Sequence, residues 1–385
     1  MQKEQLKILV LYPYPLEPDG QSLQGWYLVK GLRELGVDAR SCNRSDDLQK
    51  LWTMQTFKPD VIIGVGYWGN TPELVLGPMN HGYVSIPWFN ADGWVANYHH
   101  ILDKLPLLIA TSNWVKQTYM RDGLHGNNID VCPIGFDPDI FYARDKNDVD
   151  IIQLRKMLGV REHEKMLFTA GGDVTSKGAQ EMLKAIAKVN KDFTDWKYVF
   201  KVYESSSSEN HGVEEERLIE DLGLDPHRII YLRGAYSPEF MASLLNACDV
   251  YAAPSRLEGF GMIQVEAMAC GKPVISINAG GPKDTIVHGH TGYLVDVESE
   301  TKLDREWAYS WMGFEADHMI TFDEPKTFAY RGNVNQLAQY TLKLLQDETL
   351  CETMGKNAAN HALKEFHYKV VAEKMLKLIK KNLEI

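Results

Sequence analysis

Apolar positions along the chain fall into two alternating patterns. Short unbroken runs at Lys7–Leu11, Val61–Val65, Val84–Trp88, Leu107–Thr111 and Ile129–Val131 have the length and composition of strands buried on both faces. Between the first of these runs the apolar residues recur at helical spacing over Leu23–Leu35, and that pattern stops at Gly36. Strand, loop and helix in this order make the unit of a doubly wound α/β domain with a parallel sheet. The series restarts after residue 163, with strands over Met166–Thr169, Tyr198–Tyr203, Ile229–Leu232, Val250–Ala253 and Val274–Ile277. Its helices fall at Ala179–Val189, Pro238–Ala247 and Met262–Cys270. Two Rossmann-like α/β domains in tandem follow. The charge-rich segment 142–163 reads as a crossing segment with one short helix, which places the domains at 1–155 and 156–366. The last helix, 367–385, has no strand after it and is expected to reach back and complete the first domain.

Two stretches escape these patterns. The run of four serines after Glu204, with Glu209, Asn210 and His211, predicts a mobile surface loop. Residues 299–330 are aromatic and acidic without a clean period, and they read as an insertion that caps a neighbour or makes an oligomer contact.

Composition narrows the class. A chain of 385 residues exceeds one ordinary core, and 44% hydrophobic with 24% charged residues is a globular composition. The net charge of −11 argues against nucleic acid as a partner, because neutralising phosphates needs clustered cations. No apolar run approaches the roughly 20 residues of a membrane helix, and the N-terminus enters a strand without a cleavable leader pattern. Peripheral membrane contact is not indicated. The five cysteines lack metal-ligand spacing, and the four in or beside apolar segments read as reduced core thiols, so a cytoplasmic protein is expected.

Chemistry concentrates in Pro254–Val295, PSRLEGFGMIQVEAMACGKPVISINAGGPKDTIVHGHTGYLV. Glu258 lies on a glycine-rich loop, and Glu266 lies on the helix that this loop opens. Amides at such a helix start are unpaired and favour anionic or hydroxyl-rich ligands. Lys177 follows a Gly-Gly turn at the start of another helix, where its ammonium and the helix amides would together neutralise a diphosphate. A glycoside hydrolase fits poorly, since its two carboxylates must flank the scissile bond rather than share one loop and helix. A dehydrogenase lacks its G-x-G-x-x-G after a strand.

The Pro254–Val295 stretch, with its E-x7-E spacing, resembles the signature of the group 1 retaining glycosyltransferases, which have the GT-B architecture. The segments AGGDVTSKGAQEMLKAI, TSNWVKQTYMRDGLHGNNIDVCPIGFDPDIF and ILVLYPYP with DGQSLQGWYLVKGLRELGV extend the resemblance over most of the chain. It implies two Rossmann-like domains facing across a cleft, the second binding the donor. A hexosyl group would pass from a nucleotide-diphosphate sugar, of UDP or GDP type, to a hydroxyl acceptor in glycan, glycolipid or small-glycoside synthesis, without metal or other cofactor. By position, Glu266 would hold the ribose hydroxyls, Glu258 the donor sugar, and the backbone of Phe260, Gly261, Met262 and Ile263 the sugar and phosphate. Lys177 and Gly172 would meet the diphosphate, Arg233, Gly234 and Ala235 the base, and Gly20 the phosphate from the other domain.

The sequence departs from the family pattern at three places. Gly171-Gly172-Asp173 carries no arginine before the Lys-Gly pair, Asn90 stands where many members have histidine, and Asp19-Gly20 replaces a glycine pair. Asn90 can hydrogen-bond a sugar hydroxyl but cannot act as an acid or base near neutral pH. Catalysis would then rest on Lys177, Glu258 and Asn90, with the departing phosphate taking the acceptor's proton. The alternative is a catalytically silent sugar-nucleotide-binding or scaffold protein of the same fold. Tyr14 and Trp68, on loops after first-domain strands, could stack on an acceptor, and Asp92 is an acceptor carboxylate or a loop cap. Asp137-Pro138-Asp139 and His99-His100 read as structural.

Overall fold

A computed structural model describes residues 5–384, apart from Pro18, Asp92, Glu204 and the side chains of 206–208. The chain divides into two compact units. Unit 1 comprises Met1–Asp137, Lys302–Thr327 and Glu365–Ile385, and unit 2 comprises Pro138–Thr301 and Phe328–Lys364.

Unit 1 is built on β1 (Lys7–Tyr12), β2 (Asp38–Asn43), β3 (Val61–Tyr67), β4 (Ser85–Asn90), β5 (Leu108–Ala110) and β6 (Ile129–Val131). Their order is β2-β1-β3-β4-β5-β6 and every pairing is parallel. The inner strand β1 buries Ile8, Leu9, Val10 and Leu11 completely, as a strand covered on both faces must. The edge strand β2, DARSCN, buries only Ala39 and Cys42, so it carries no apolar run for sequence reading to detect. The Gly20–Glu34 helix follows β1, and the Tyr368–Leu383 helix lies along it. A Cβ on Gly31 would come within 2.6 Å of Ala372 Cβ, and the Tyr368 hydroxyl donates to Glu34 Oε1 at 2.7 Å.

Unit 2 is built on β7 (Lys165–Ala170), β8 (Trp196–Val202), β9 (Ile229–Arg233), β10 (Val250–Ala252), β11 (Val274–Ile277) and β12 (Gly292–Val295). Here the order is β12-β11-β10-β7-β8-β9, again all parallel. One face of this sheet packs against the Ala179–Val189 and Val334–Gln346 helices through Leu167, Met182, Leu183, Ile186, Tyr198, Phe200 and Leu337.

Three sequence expectations change. The division falls after Asp137, not after residue 155, because the crossing segment is tied to unit 2. Arg144 N–H donates to Asn246 Oδ1 at 2.9 Å, and Arg155 reaches the Ala247 carbonyl at 2.6 Å and Asp249 at 3.1 Å. The serine run is not a loop but the start of the Ser206–Asp221 helix. The insertion is a two-stranded ribbon of β13 (Val297–Ala308) and β14 (His318–Gly332), and residues 302–327 of it belong to unit 1.

Candidate active site

Strand order in unit 2 reverses beside β7: the chain runs outward through β8 and β9, then returns to place β10 on the other side of β7. In such sheets the loops leaving the two strands at the reversal diverge and leave a crevice at their carboxyl ends. These loops are 171–178 after β7 and 253–261 after β10, and they carry Lys177 and Glu258. Lys177 Nζ donates to Glu258 Oε2 at 2.7 Å, and Gly261 N–H donates to Glu258 Oε1 at 3.1 Å.

Backbone packing holds the pair in place. Gly178 has φ +86°, and a Cβ there would lie 2.4 Å from the Pro254 carbonyl oxygen. Arg256 N–H donates to the Ser176 carbonyl at 2.9 Å, which joins the two loops directly. From behind, Gly281 N–H donates to the Glu258 carbonyl at 2.8 Å, and a Cβ on Gly281 would strike the Gly259 carbonyl at 2.3 Å. Any side chain at either glycine therefore displaces the Glu258 loop.

Both helices at this crevice are entered through glycine. Gly178 precedes the Ala179–Val189 helix and Gly261, at φ +95°, precedes the Met262–Ala269 helix, and neither helix start receives a side-chain cap. The positive ends of two helix dipoles thus lie beside the loop ammonium. Glu266, on the second helix, is 4% exposed, and its Oε1 has no hydrogen-bond partner among the described residues. Burial alone pushes its carboxyl up to about 8. A buried carboxyl with an open acceptor oxygen suits hydroxyl donors better than a cation.

The other residues that the resemblance assigns to the donor follow the same sheet edge. Gly171 N–H donates to the Lys201 carbonyl, Tyr203 N–H to the Gly172 carbonyl and Gly234 N–H to the Val202 carbonyl, each at 3.0 Å. Gly172, Arg233 and Ala235 are exposed at this edge, and Gly234 has φ +122°. Phe260 is buried, while Met262 and Ile263 are partly exposed. Arg256, the arginine nearest to Glu258 in sequence, is engaged with other side chains. Its Nη2 donates to Gln180 Oε1 at 2.8 Å and lies 3.3 Å from Glu181 Oε1, which Arg331 also pairs at 2.7 Å.

In unit 1, Asn90 ends β4. Its Oδ1 accepts from Thr111 Oγ1 at 3.1 Å, and its carbonyl accepts from the Tyr119 hydroxyl at 3.0 Å. Gly20 is exposed as the first residue of its helix, whose amides at Gln21 and Ser22 are capped by Asp19 Oδ1 at 2.9 and 3.1 Å. Tyr14 lies edge-on to Tyr12 at 5.7 Å. Trp68 is 1% exposed, enclosed by Trp94 at 5.0 Å and by Phe314 of the ribbon at 6.5 Å. Enclosed in this way, it does not present a ring face to solvent on which an acceptor could stack. Asp92 lies outside the described residues. Asp137 is held by Lys30 at 2.6 Å, and His99 Nε2 lies 2.7 Å from the Asp122 carbonyl, so both are engaged in the scaffold.

Two features escaped sequence reading. Lys201 is 5% exposed at the end of β8, with its Nζ 3.4 Å from the Tyr203 ring centroid. His211 pairs with Asp173 through Nδ1 and Oδ2. Position near the glycine turn was the available signal for Asp173; the apolar run around Lys201 concealed the other. A cavity of about 640 Å³ also lies in unit 2, lined by Lys165, Asp249, Pro273 and Lys356 among others. The first three precede or begin strands β7, β10 and β11, at the opposite edge of the sheet, and none of its lining residues is a site residue.

Comparison with known proteins finds similarity to glycosyltransferases. The family described as "Glycosyl transferases group 1" matches residues 150–308. A D-inositol 3-phosphate glycosyltransferase of Corynebacterium jeikeium is 28% identical over 286 residues, 72% of this chain and 58% of its own. That of Corynebacterium kroppenstedtii is 37% identical over 146 residues, 37% of this chain and 32% of its own. The chain thus spans from a third to a little over half the length of these relatives. Among solved structures, a glycosyltransferase from Rickettsia africae superposes with a TM-score of 0.76 at 17% identity, covering 99% of this chain and 100% of its own. Anabaena HepE, in complex with UDP and glucose, gives 0.72 at 19% identity over 98% of this chain and 100% of its own.

Proposed function

We propose that this chain, matched over residues 150–308 by the model of the group 1 glycosyltransferases, transfers a hexosyl group from a nucleotide-diphosphate sugar to a hydroxyl acceptor with retention at the anomeric carbon. The observation that carries this reading is the Lys177–Glu258 pair, 2.7 Å apart at the strand reversal between two uncapped helix starts. Positive charge from Lys177 and from the helix amides would stabilise the diphosphate as it leaves. Glu258, with one oxygen fixed by Lys177 and the other by Gly261 N–H, would accept hydroxyls of the donor sugar. Glu266 would take the ribose hydroxyls through its open oxygen. No described side chain at the crevice is placed as a nucleophile, so the departing phosphate would accept the acceptor's proton on the face that the hydroxyl attacks.

On this reading leaving-group charge is met by protein cations, and turnover is expected to be indifferent to chelators. The five cysteines are free thiols, which suits action in the cytoplasm. Among the described residues no helix is long and apolar enough to cross a membrane.

The test is purified protein with UDP- and GDP-sugars and a panel of hydroxyl acceptors, with the product's anomeric configuration read by NMR. Since HepE is seen with UDP and glucose, UDP-glucose is the first donor to try. An inverted product would overturn the proposed stereochemistry. Neither transfer nor donor hydrolysis across the panel would leave the silent-binder reading in its place.

A further inference from the structure

Two lysine ammonium groups bracket the turn after β7, and only one of them has a carboxylate. The turn is bare backbone at Gly171 and Gly172. A Cβ on Gly171 would lie 2.8 Å from Lys177 Cγ and 3.3 Å from Lys177 Cε, so the Lys177 stem lies against the first glycine. A Cβ on Gly172 would lie 3.6 Å from Tyr203 Cδ2, so the Tyr203 ring lies against the second. The Lys201 ammonium sits 3.4 Å from the centroid of that same ring. Lys177 is neutralised by Glu258, and Arg256 by Glu181. Lys201, 5% exposed, has no ion pair or side-chain hydrogen bond among the described residues.

A buried cation without a counter-ion is costly, and an aromatic face offsets only part of that cost. Burial lowers the ammonium pKa to about 8, with no neighbouring charge acting against it. A diphosphate over this turn would bring more negative charge than Lys177 can meet, because Lys177 already shares its charge with Glu258. We propose that Lys201 is the second cation of the diphosphate site, contributing from the end of β8 what no residue of 171–176 can supply. The proposal rests on the nucleotide-sugar reading above. It assigns Tyr203 a supporting part: its ring holds the Lys201 ammonium at the side of Gly172 while the site is empty of anion.

The experiment compares the full chain with Lys201→Met and Lys201→Arg, using UDP and GDP as probes in calorimetry and in thermal unfolding. Lys201→Met should bind the nucleotide that the wild type binds roughly ten- to hundredfold more weakly. Its melting temperature without nucleotide should equal or exceed that of the wild type, because a buried unpaired charge has been removed. Lys201→Arg should recover most of the affinity. Wild-type affinity in Lys201→Met sinks the proposal, and so does a Lys201→Arg variant that binds as poorly as Lys201→Met. A wild type that binds neither nucleotide overturns the parent reading and this one together, which separates the two kinds of failure.

Discussion

Both sheets reverse direction beside their first strand, β1 in unit 1 and β7 in unit 2, yet the helices that follow are entered in opposite ways. After β1, Asp19 turns its carboxylate onto the amides of Gln21 and Ser22, so the Gly20–Glu34 helix brings its own anion. The nearby cation is also engaged: Arg44 donates to Gln21 Oε1 at 2.6 Å and to the Val65 carbonyl at 2.9 Å, and lies 3.4 Å from Glu73. After β7 and β10 the helices begin at Gly178 and Gly261 without a side-chain cap, and Lys177 stands between them. One topology thus yields a closed helix start in one unit and two open ones in the other. Strand order decides where a crevice forms; the residue at the N-cap decides whether it can receive an anion.

The largest expected effect comes from removing the cation of the open crevice. Lys177→Ala should lower kcat by at least about a hundredfold, as loss of a transition-state charge partner does. Full turnover in this variant would mean that the helix amides suffice. Next, Gly178→Ala should destabilise the protein by about 2–4 kcal/mol, combining a left-handed backbone with a Cβ driven into the Pro254 carbonyl. Chemical denaturation measures this, and a cost below about 1 kcal/mol would show that the loops are not locked together.

Glu266 gives a pH signature. Its carboxyl titrates near 4.5 in the unfolded chain and at about 8 when folded, so the folded state holds the extra proton between those values. Stability from this group is therefore lost as pH rises from about 4.5 to 8. Glu266→Gln removes the titration, and its melting temperature should gain on the wild type steadily across that window. Parallel curves would place the titration elsewhere. The smallest effect belongs to the closed helix start. Asp19→Ala should cost about 1 kcal/mol and leave nucleotide affinity within about twofold. A tenfold change in affinity would break the contrast between the units.

Much of unit 2 was legible because its chemistry is punctuated by glycine. Gly171, Gly178, Gly261 and Gly281 mark close backbone approaches, and Lys177, Glu258 and Glu266 stand at fixed offsets from them. Lys201 was not legible. It sits inside YVFKVY, where an apolar run sets the strand and a single lysine carries no spacing signal. The helix starting at Ser206 was hidden by serines, which favour turns unless tertiary packing decides otherwise. The crossing segment was assigned to the first unit because adjacency in sequence was the available guide, whereas Arg144 and Arg155 bind it to Asn246, Ala247 and Asp249. The ribbon of β13 and β14 gave no period because its strands are mostly exposed, and alternation needs one buried face to impose it.

The closing helix of unit 1 has a consequence for how the protein is made. The sheet of that unit ends at Val131, but the Tyr368–Leu383 helix that packs on Gly31 and pairs with Glu34 lies at the far end of the chain. At ordinary synthesis rates the ribosome needs on the order of tens of seconds to travel from one to the other. During that time the groove beside Gly31, shaped for Tyr368 and Ala372, stays open on a nascent chain whose sheet is already complete. Unit 1 thus begins to emerge before unit 2 and finishes folding after it. A fragment cut after Asp137 carries the same open groove permanently, and it should bind hydrophobic dyes and aggregate until the missing helix is supplied in trans.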